Sequence, residues 1–376
     1  MTENEARLLS RVADSVSGRR EEETNKEILK SALDQGVLLF VNAELPVSEK
    51  QMAQNFRVYY AHADIHRVLS GIPYVFLKGY ASATYYAEPT LRLGGDVDFL
   101  VKPEDMEEVR KRLLAGGFEE VEADNDHHDV FKKDDITFEP HYRMSGMPDG
   151  AVGARIEAML SDVIEKAVVT ETPYGAMALP TPFHHGLIQL LHVANHMTST
   201  GVGLRHLLDW AVFVKETENF RELFEAPLKQ VGLWTYACLL TQVSERYLGI
   251  PKNDWTGEPD EALTEAVMED VLAAGNFGYR REDNREYWLN SNVGAGGVKY
   301  KNPVAQLFHN MNQVTRLHWP AAKKNVLLLP IGAVYFGGRY LFRSLTGKRK
   351  KVRVGKMFAG AKSRRRLYEK FRLFEA

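Results

Sequence analysis

Asp96 and Asp98 stand two positions apart inside Gly95-Asp96-Val97-Asp98-Phe99-Leu100-Val101, an otherwise apolar run, and no other feature constrains the fold as strongly. A short apolar run entered from glycine reads as a buried strand. Strand side chains alternate, so the two carboxylates share a face, about 7 Å apart. Two acids on one face of a buried strand are costly unless a cation or a basic partner compensates them. Oxygen-only ligands suit Mg²⁺. The run therefore predicts a sheet with one face turned to metal-assisted chemistry on a phosphate-bearing substrate. The plainer alternative is a pair of strand acids salt-bridged to Arg92, Lys102 or Arg143.

The flanks add to this. Tyr74-Val75-Phe76-Leu77 reads as a short buried strand that ends in Lys78-Gly79, and Asp96 follows Gly79 by seventeen positions. A glycine where a helix begins leaves backbone N–H groups open to phosphate, and Lys78 or Arg92 would neutralise its charge. Gly95 lets the backbone approach a ligand closely. Residues 136–142 form a third strand candidate, in which Glu139 and His141 share a face and can bring a third acid beside the pair. Three convergent carboxylates are what two metals need to hold a nucleoside triphosphate and its attacking oxygen in line.

Around this β-α-β-α-β core the pattern is helical. The expected organisation is an N-terminal helical region at 1–71, the α/β core at 72–145, a C-terminal helical domain at 146–325 and a basic amphipathic tail at 326–376. Residues 275–302 read as a connection and 303–318 as a helix. On the helix predicted from His184 to Thr198, His185, Gln189, His192 and His196 form one stripe, and Arg205 and Asp209 an i,i+4 pair on the next. Three readings stay open for that face. It lines the cleft and contacts phosphate or acceptor, it holds a separate transition metal, or it is a set of core-edge histidines with Arg205–Asp209 as an ion pair. His127-His128-Asp129 reads as a loop.

A single cysteine, Cys238, excludes an internal disulfide framework and suits a reducing cytosol. The polar N-terminus predicts no signal peptide, and the longest apolar stretch, 326–338, is interrupted by Pro330 and too short to span a bilayer. The expected location is cytoplasmic, peripheral to a membrane if the tail engages one. Residues 337–376 hold 14 Lys and Arg against 2 Glu, whereas the preceding 336 residues hold 34 basic and 48 acidic side chains. A basic tail with interleaved aromatics suits an anionic membrane surface or nucleic acid, and a solvated extension is the alternative.

Leu77-Lys78-Gly79, Tyr85-Tyr86, Pro89, Arg92, the run 95–101, Gly117-Phe118, Phe138-Glu139-Pro140-His141, His192-x-x-x-His196 and Leu204-Arg205-x-x-x-Asp209 together resemble the uncharacterised bacterial nucleotidyltransferase family. That family belongs to the DNA polymerase beta-like nucleotidyltransferase superfamily. The resemblance implies an α+β fold, a small mixed sheet flanked by helical regions. It implies two Mg²⁺ ions, with Mn²⁺ as the substitute, on Asp96, Asp98 and Glu139. It also implies transfer of a nucleoside monophosphate from an NTP to a hydroxyl-bearing acceptor. Lys78, Gly79, Arg92 and Gly95 would contact the nucleotide, and His141, His192, His196 and Arg205 the acceptor or phosphate. The acceptor could be a small molecule, a sugar intermediate, a peptide or a protein. Gly79 is followed by Tyr80 where that superfamily has Gly-Ser or Gly-Gly. This motivates a rival, a nucleotide-binding protein of the same fold without turnover. A second rival is a membrane-surface scaffold acting through the tail.

Overall fold

The computed structural model describes residues 1–276 except 45, 122–126, 145, 149 and 199–200, together with much of 311–345 and 367–375. Residues 277–302 of the expected connection, most of the expected helix at 303–318 and most of the basic tail lie outside the described residues.

Three helices lead the chain. α1 (Glu3–Val16) starts at Thr2, whose hydroxyl accepts from the Glu5 N–H while the Glu5 carboxylate accepts from the Thr2 N–H, a reciprocal cap. α2 (Lys26–Gln35) is capped by Asn25 and stops at Gly36, which takes the left-handed φ of 72° that closes helices without strain. A short α3 (Leu38–Val41) follows. Leu8, Val12, Ile28 and Val41 are buried in one apolar core with the C-terminal helices. α4 (Glu49–Val68) then leads into the sheet.

The sheet has five strands in the order β1 (Tyr74–Phe76), β2 (Val97–Val101), β5 (Ile136–His141), β4 (Val130–Lys133) and β3 (Glu119–Val121). β2 and β5 are parallel and the other neighbours antiparallel, so the sheet is mixed. A parallel pair needs a crossover. Here it contains α6 (Met106–Ala115) followed by β3 and β4. A short helix, α5 (Tyr80–Ala83), follows Gly79.

Alternation along the strands separates two cores. Phe76, Val97, Phe99, Val101 and Phe138 pack with Tyr59 and Ile65 of α4 and with Val109 and Leu113 of α6. Val75, Leu77 and Leu100 join the larger helical core instead. That core is built on α7 (Gly150–Leu160), α8 (Pro182–Thr198), α9 (Leu204–Glu216), α10 (Phe220–Gln230), α11 (Trp234–Tyr247) and α12 (Glu261–Ala274). A separate hairpin of β6 (Val168–Thr172) and β7 (Gly175–Leu179) carries Tyr174 at its turn, where the ring packs edge-on against Tyr59 and Tyr80. The protein is thus α+β, with a mixed five-stranded sheet between helical regions. No helix among the described residues is long and apolar enough to cross a membrane.

Candidate active site

The parallel register sets Asp98 opposite Glu139 and Leu100 opposite His141. With period-2 alternation, Asp96, Asp98, Glu139 and His141 therefore share the sheet face that looks toward α8 and α9. β1 delivers Lys78 to the same place. The Leu77 N–H donates to the Asp98 carbonyl at 3.0 Å, and Lys78 Nζ lies 3.0 Å from Asp98 Oδ1. His141 Nε2 donates to the same oxygen at 3.3 Å and lies 3.7 Å from Glu139 Oε2.

The electrostatics divide the acids. Burial alone would push Asp98 up, but Lys78 and His141 outweigh it and hold its carboxyl far below the usual carboxylate range. Asp96 stands at the rim. Desolvation by the surrounding protein, then the like charges of Asp98 and Glu139, push it up to about 6. His141 would be pushed down by burial, but its bonds to Asp98 and Glu139 prevail and raise it. The result is a crowd of carboxylates at which added positive charge is favoured. Asp96, Asp98 and Glu139 offer the oxygen-only donors that a hard divalent cation such as Mg²⁺ takes, but among the described residues the donors that lie within 4.8 Å of one another are those of His128, Glu139 and His141.

Gly79 has φ of 68°, and a Cβ there would collide with His62 Nε2. His62 is fully buried, donates from Nδ1 to the Val58 carbonyl at 2.8 Å and accepts the Tyr80 N–H on Nε2 at 3.4 Å. That tautomer is neutral, and burial holds its pKa down at about 4. The turn after β1 thus rests on a neutral imidazole. The approach to β2 is pinned from α4. The Tyr59 hydroxyl donates to the Arg92 carbonyl at 2.8 Å, and Asn55 joins the Thr90 carbonyl to the Gly94 N–H.

A cavity of about 290 Å³ lies between this face and the helices, lined by Lys78, Asp96, Asp98, Glu139, Gln189 and Arg205 among others. It shares Lys78, Glu139, His141, His192 and His196 with a neighbouring cavity of about 430 Å³ that Arg143 and His127 also line. Gly95 lines the first cavity beside Arg205. Arg205 is buried. Desolvation and the nearby Arg92 push its guanidinium down to about 10, which leaves it cationic at neutral pH.

The α8 stripe divides. Gln189, His192 and His196 face the cavities, whereas His185 is buried under Tyr85, ring on ring at 5.0 Å. His192, His196 and His206 lie with ring centroids 4.3 to 5.6 Å apart. Burial lowers all three below the ordinary imidazole range, His196 to about 4, so they are neutral. The i,i+4 spacing pairs Arg205 with Asp209, but Asp209 instead takes Arg92 on both oxygens at 2.8 Å, with the Tyr86 hydroxyl at 2.6 Å. Lys102 pairs with Glu165, away from the site acids.

His128 is the residue that sequence reasoning missed. The stretch 127–129 is irregular, as the loop reading expects, but within it His128 bridges His141 across the backbone and its Nε2 lies 3.7 Å from Glu139 Oε2. Its sequence signal, a His-His doublet just before β4, has no meaning until β5 is placed beside it.

Comparison with curated proteins and with solved structures gives no match. The model of one protein family matches residues 40–249, more than half of the 376-residue chain and the part that contains every residue of the site described above. The chain belongs to that family, described as uncharacterised nucleotidyltransferase.

Proposed function

We propose that the protein, with a DNA polymerase beta-like fold, transfers a nucleoside monophosphate from an NTP to a hydroxyl-bearing acceptor and releases pyrophosphate. The observation that carries this reading is the β2–β5 register, which sets Asp98 beside Glu139 with Asp96 and Lys78 on the same face. Asp96, Asp98 and Glu139 would hold Mg²⁺, which when bound supplies charge to offset the triphosphate. Lys78 and Arg205 neutralise phosphate oxygens, and bare backbone at Gly79 and Gly95 allows their approach. Arg92 acts through Asp209 to fix α9 against the cleft. Glu139 takes the proton of the acceptor hydroxyl while His141 orients the carboxylate. The acceptor oxygen bonds to the α-phosphorus, the bond to the β-phosphate bridging oxygen breaks, and pyrophosphate leaves. The larger neighbouring cavity, on the Glu139 side, is the acceptor's place. Calorimetry with each Mg·NTP is the test. Binding by the wild type and its loss in Asp96→Asn/Asp98→Asn is expected, and equal affinity in both would remove the site assignment.

A second reading concerns the C-terminal segment. In the helix Leu329–Leu345, Ile331 and Val334 are 58% and 76% exposed, while Gly332 and Ala333 face the protein. Tyr335 and, before the helix, Leu327 are also exposed. An outward apolar face followed by the basic run Lys348-Arg349-Lys350-Lys351 suits an anionic bilayer. Sedimentation with phosphatidylserine vesicles, lost in Ile331→Asp/Val334→Asp, is the expected result. Binding to nucleic acid alone would contradict it.

A further inference from the structure

We infer that His128, Glu139 and His141 form a binding site for a borderline transition-metal dication of the Zn²⁺ or Co²⁺ type. The two imidazole Nε2 atoms each lie 3.7 Å from the same oxygen, Glu139 Oε2, and all three donor atoms fall within 4.8 Å of one another. Donors about 2.0 Å from a tetrahedral ion stand roughly 3.3 Å apart, so small side-chain movements close the set. The backbone already fixes it. Glu139 and His141 are alternate residues of β5, and His128 is held across from His141 by a backbone bridge. The flanking Asp129 N–H donates to the Pro140 carbonyl at 3.2 Å, and the Tyr142 N–H to the His127 carbonyl at 3.0 Å.

The site shares Glu139 with the Asp96–Asp98 side and differs from it in the other two donors. Mg²⁺ takes oxygen ligands, whereas two imidazoles and one carboxylate favour softer dications. Coordination takes the Nε2 proton that His141 shares with Asp98, so metal uptake releases acid. His128 and Glu139 are partly accessible, and Glu139 and His141 line the 430 Å³ cavity, which gives an ion a way in. The existence of the site is argued from its own donors. Its role, a nitrogen-ligated ion on the acceptor side opposite an oxygen-ligated one, rests on the nucleotidyl-transfer reading.

The test is titration of the untagged full chain with Co²⁺ without nucleotide, followed by visible absorption and displacement with Zn²⁺. One Co²⁺ per chain with the intense bands of low coordination is expected, weakened by more than about tenfold in His128→Ala and retained in Asp96→Asn. No bands, or bands indifferent to His128→Ala, overturn the site. Should that variant fail to fold, X-ray absorption of the wild-type zinc complex decides instead. Scattering from two imidazoles supports the site, and none overturns it. Co²⁺ binding that depends on His128 in a protein that consumes no NTP would sink the nucleotidyl-transfer reading and leave the metal site standing. Nucleotidyl transfer by a chain that binds no Co²⁺ would do the reverse.

Discussion

Asp209 on α9 holds the Arg92 guanidinium on both of its carboxylate oxygens, each at 2.8 Å, across 117 residues of sequence. Both side chains are about 7% exposed, and the Tyr86 hydroxyl completes the group. Removing one partner of such a pair leaves a buried charge uncompensated. Asp209→Asn should therefore cost about 3 kcal/mol in urea unfolding, and Arg92→Met/Asp209→Leu should recover most of it. A double variant as unstable as Asp209→Asn would show that the ion pair itself, and not its buried half, is what matters.

Gly79→Ala should destabilise the protein by roughly 2 kcal/mol, because φ of 68° is strained for alanine and the new methyl meets His62. The strain and the collision are separable. Combined with His62→Ala, which removes the ring, the second penalty should be less than additive in thermal melts. Full additivity would mean that only backbone conformation matters at Gly79.

The histidines set an acid limit. Burial lowers His62 and His185 to about 4, against about 6.5 in the unfolded chain. Between those values the unfolded chain binds more protons, so the stability due to each neutral imidazole is complete above pH 6.5 and is lost as pH falls toward 4. The loss is up to about 3 kcal/mol per site. Among the described residues neither ring nitrogen of His185 has a hydrogen-bond partner. His185→Leu should therefore fold and shift the acid unfolding midpoint downward. An unchanged midpoint would mean that His185 titrates normally.

Gln189 offers a test that separates ligand binding from packing. Its amide lines the smaller cavity, is buried, and has no hydrogen-bond partner for oxygen or nitrogen among the described residues. An unmet buried amide costs about 1 kcal/mol or more. Gln189→Leu should raise the melting temperature while weakening Mg·NTP binding in calorimetry. A stabilised variant with unchanged nucleotide affinity would remove Gln189 from the ligand site.

The sequence carried the local half of this arrangement. Two-residue spacing put Asp96 with Asp98 and Glu139 with His141, because strand alternation is a property of neighbours. Lys78-Gly79 was legible as the end of a buried strand for the same reason. What spacing does not hold is register. Nothing in the chain states that Val97 pairs with Phe138, since α6, β3 and β4 intervene, and with that pairing comes the position of Asp98 against Glu139. His128 escaped for the same cause, being defined by its neighbour across the bridge. The helical rule joined Arg205 to Asp209, but a better-aligned partner arrived from the distant Arg92. The β6–β7 hairpin lacks a clear apolar stripe, and Val168 and Val169 are exposed.

The fate of label from two forms of the same nucleotide tests nucleotidyl transfer most directly. The full chain is incubated with Mg²⁺, cell extract and NTP labelled at the α- or the γ-phosphate, beside Asp96→Asn/Asp98→Asn. The account predicts that wild type moves α-label onto an acceptor and releases γ-label as pyrophosphate, and that the double variant does neither. Transfer of γ-label to the acceptor would contradict it.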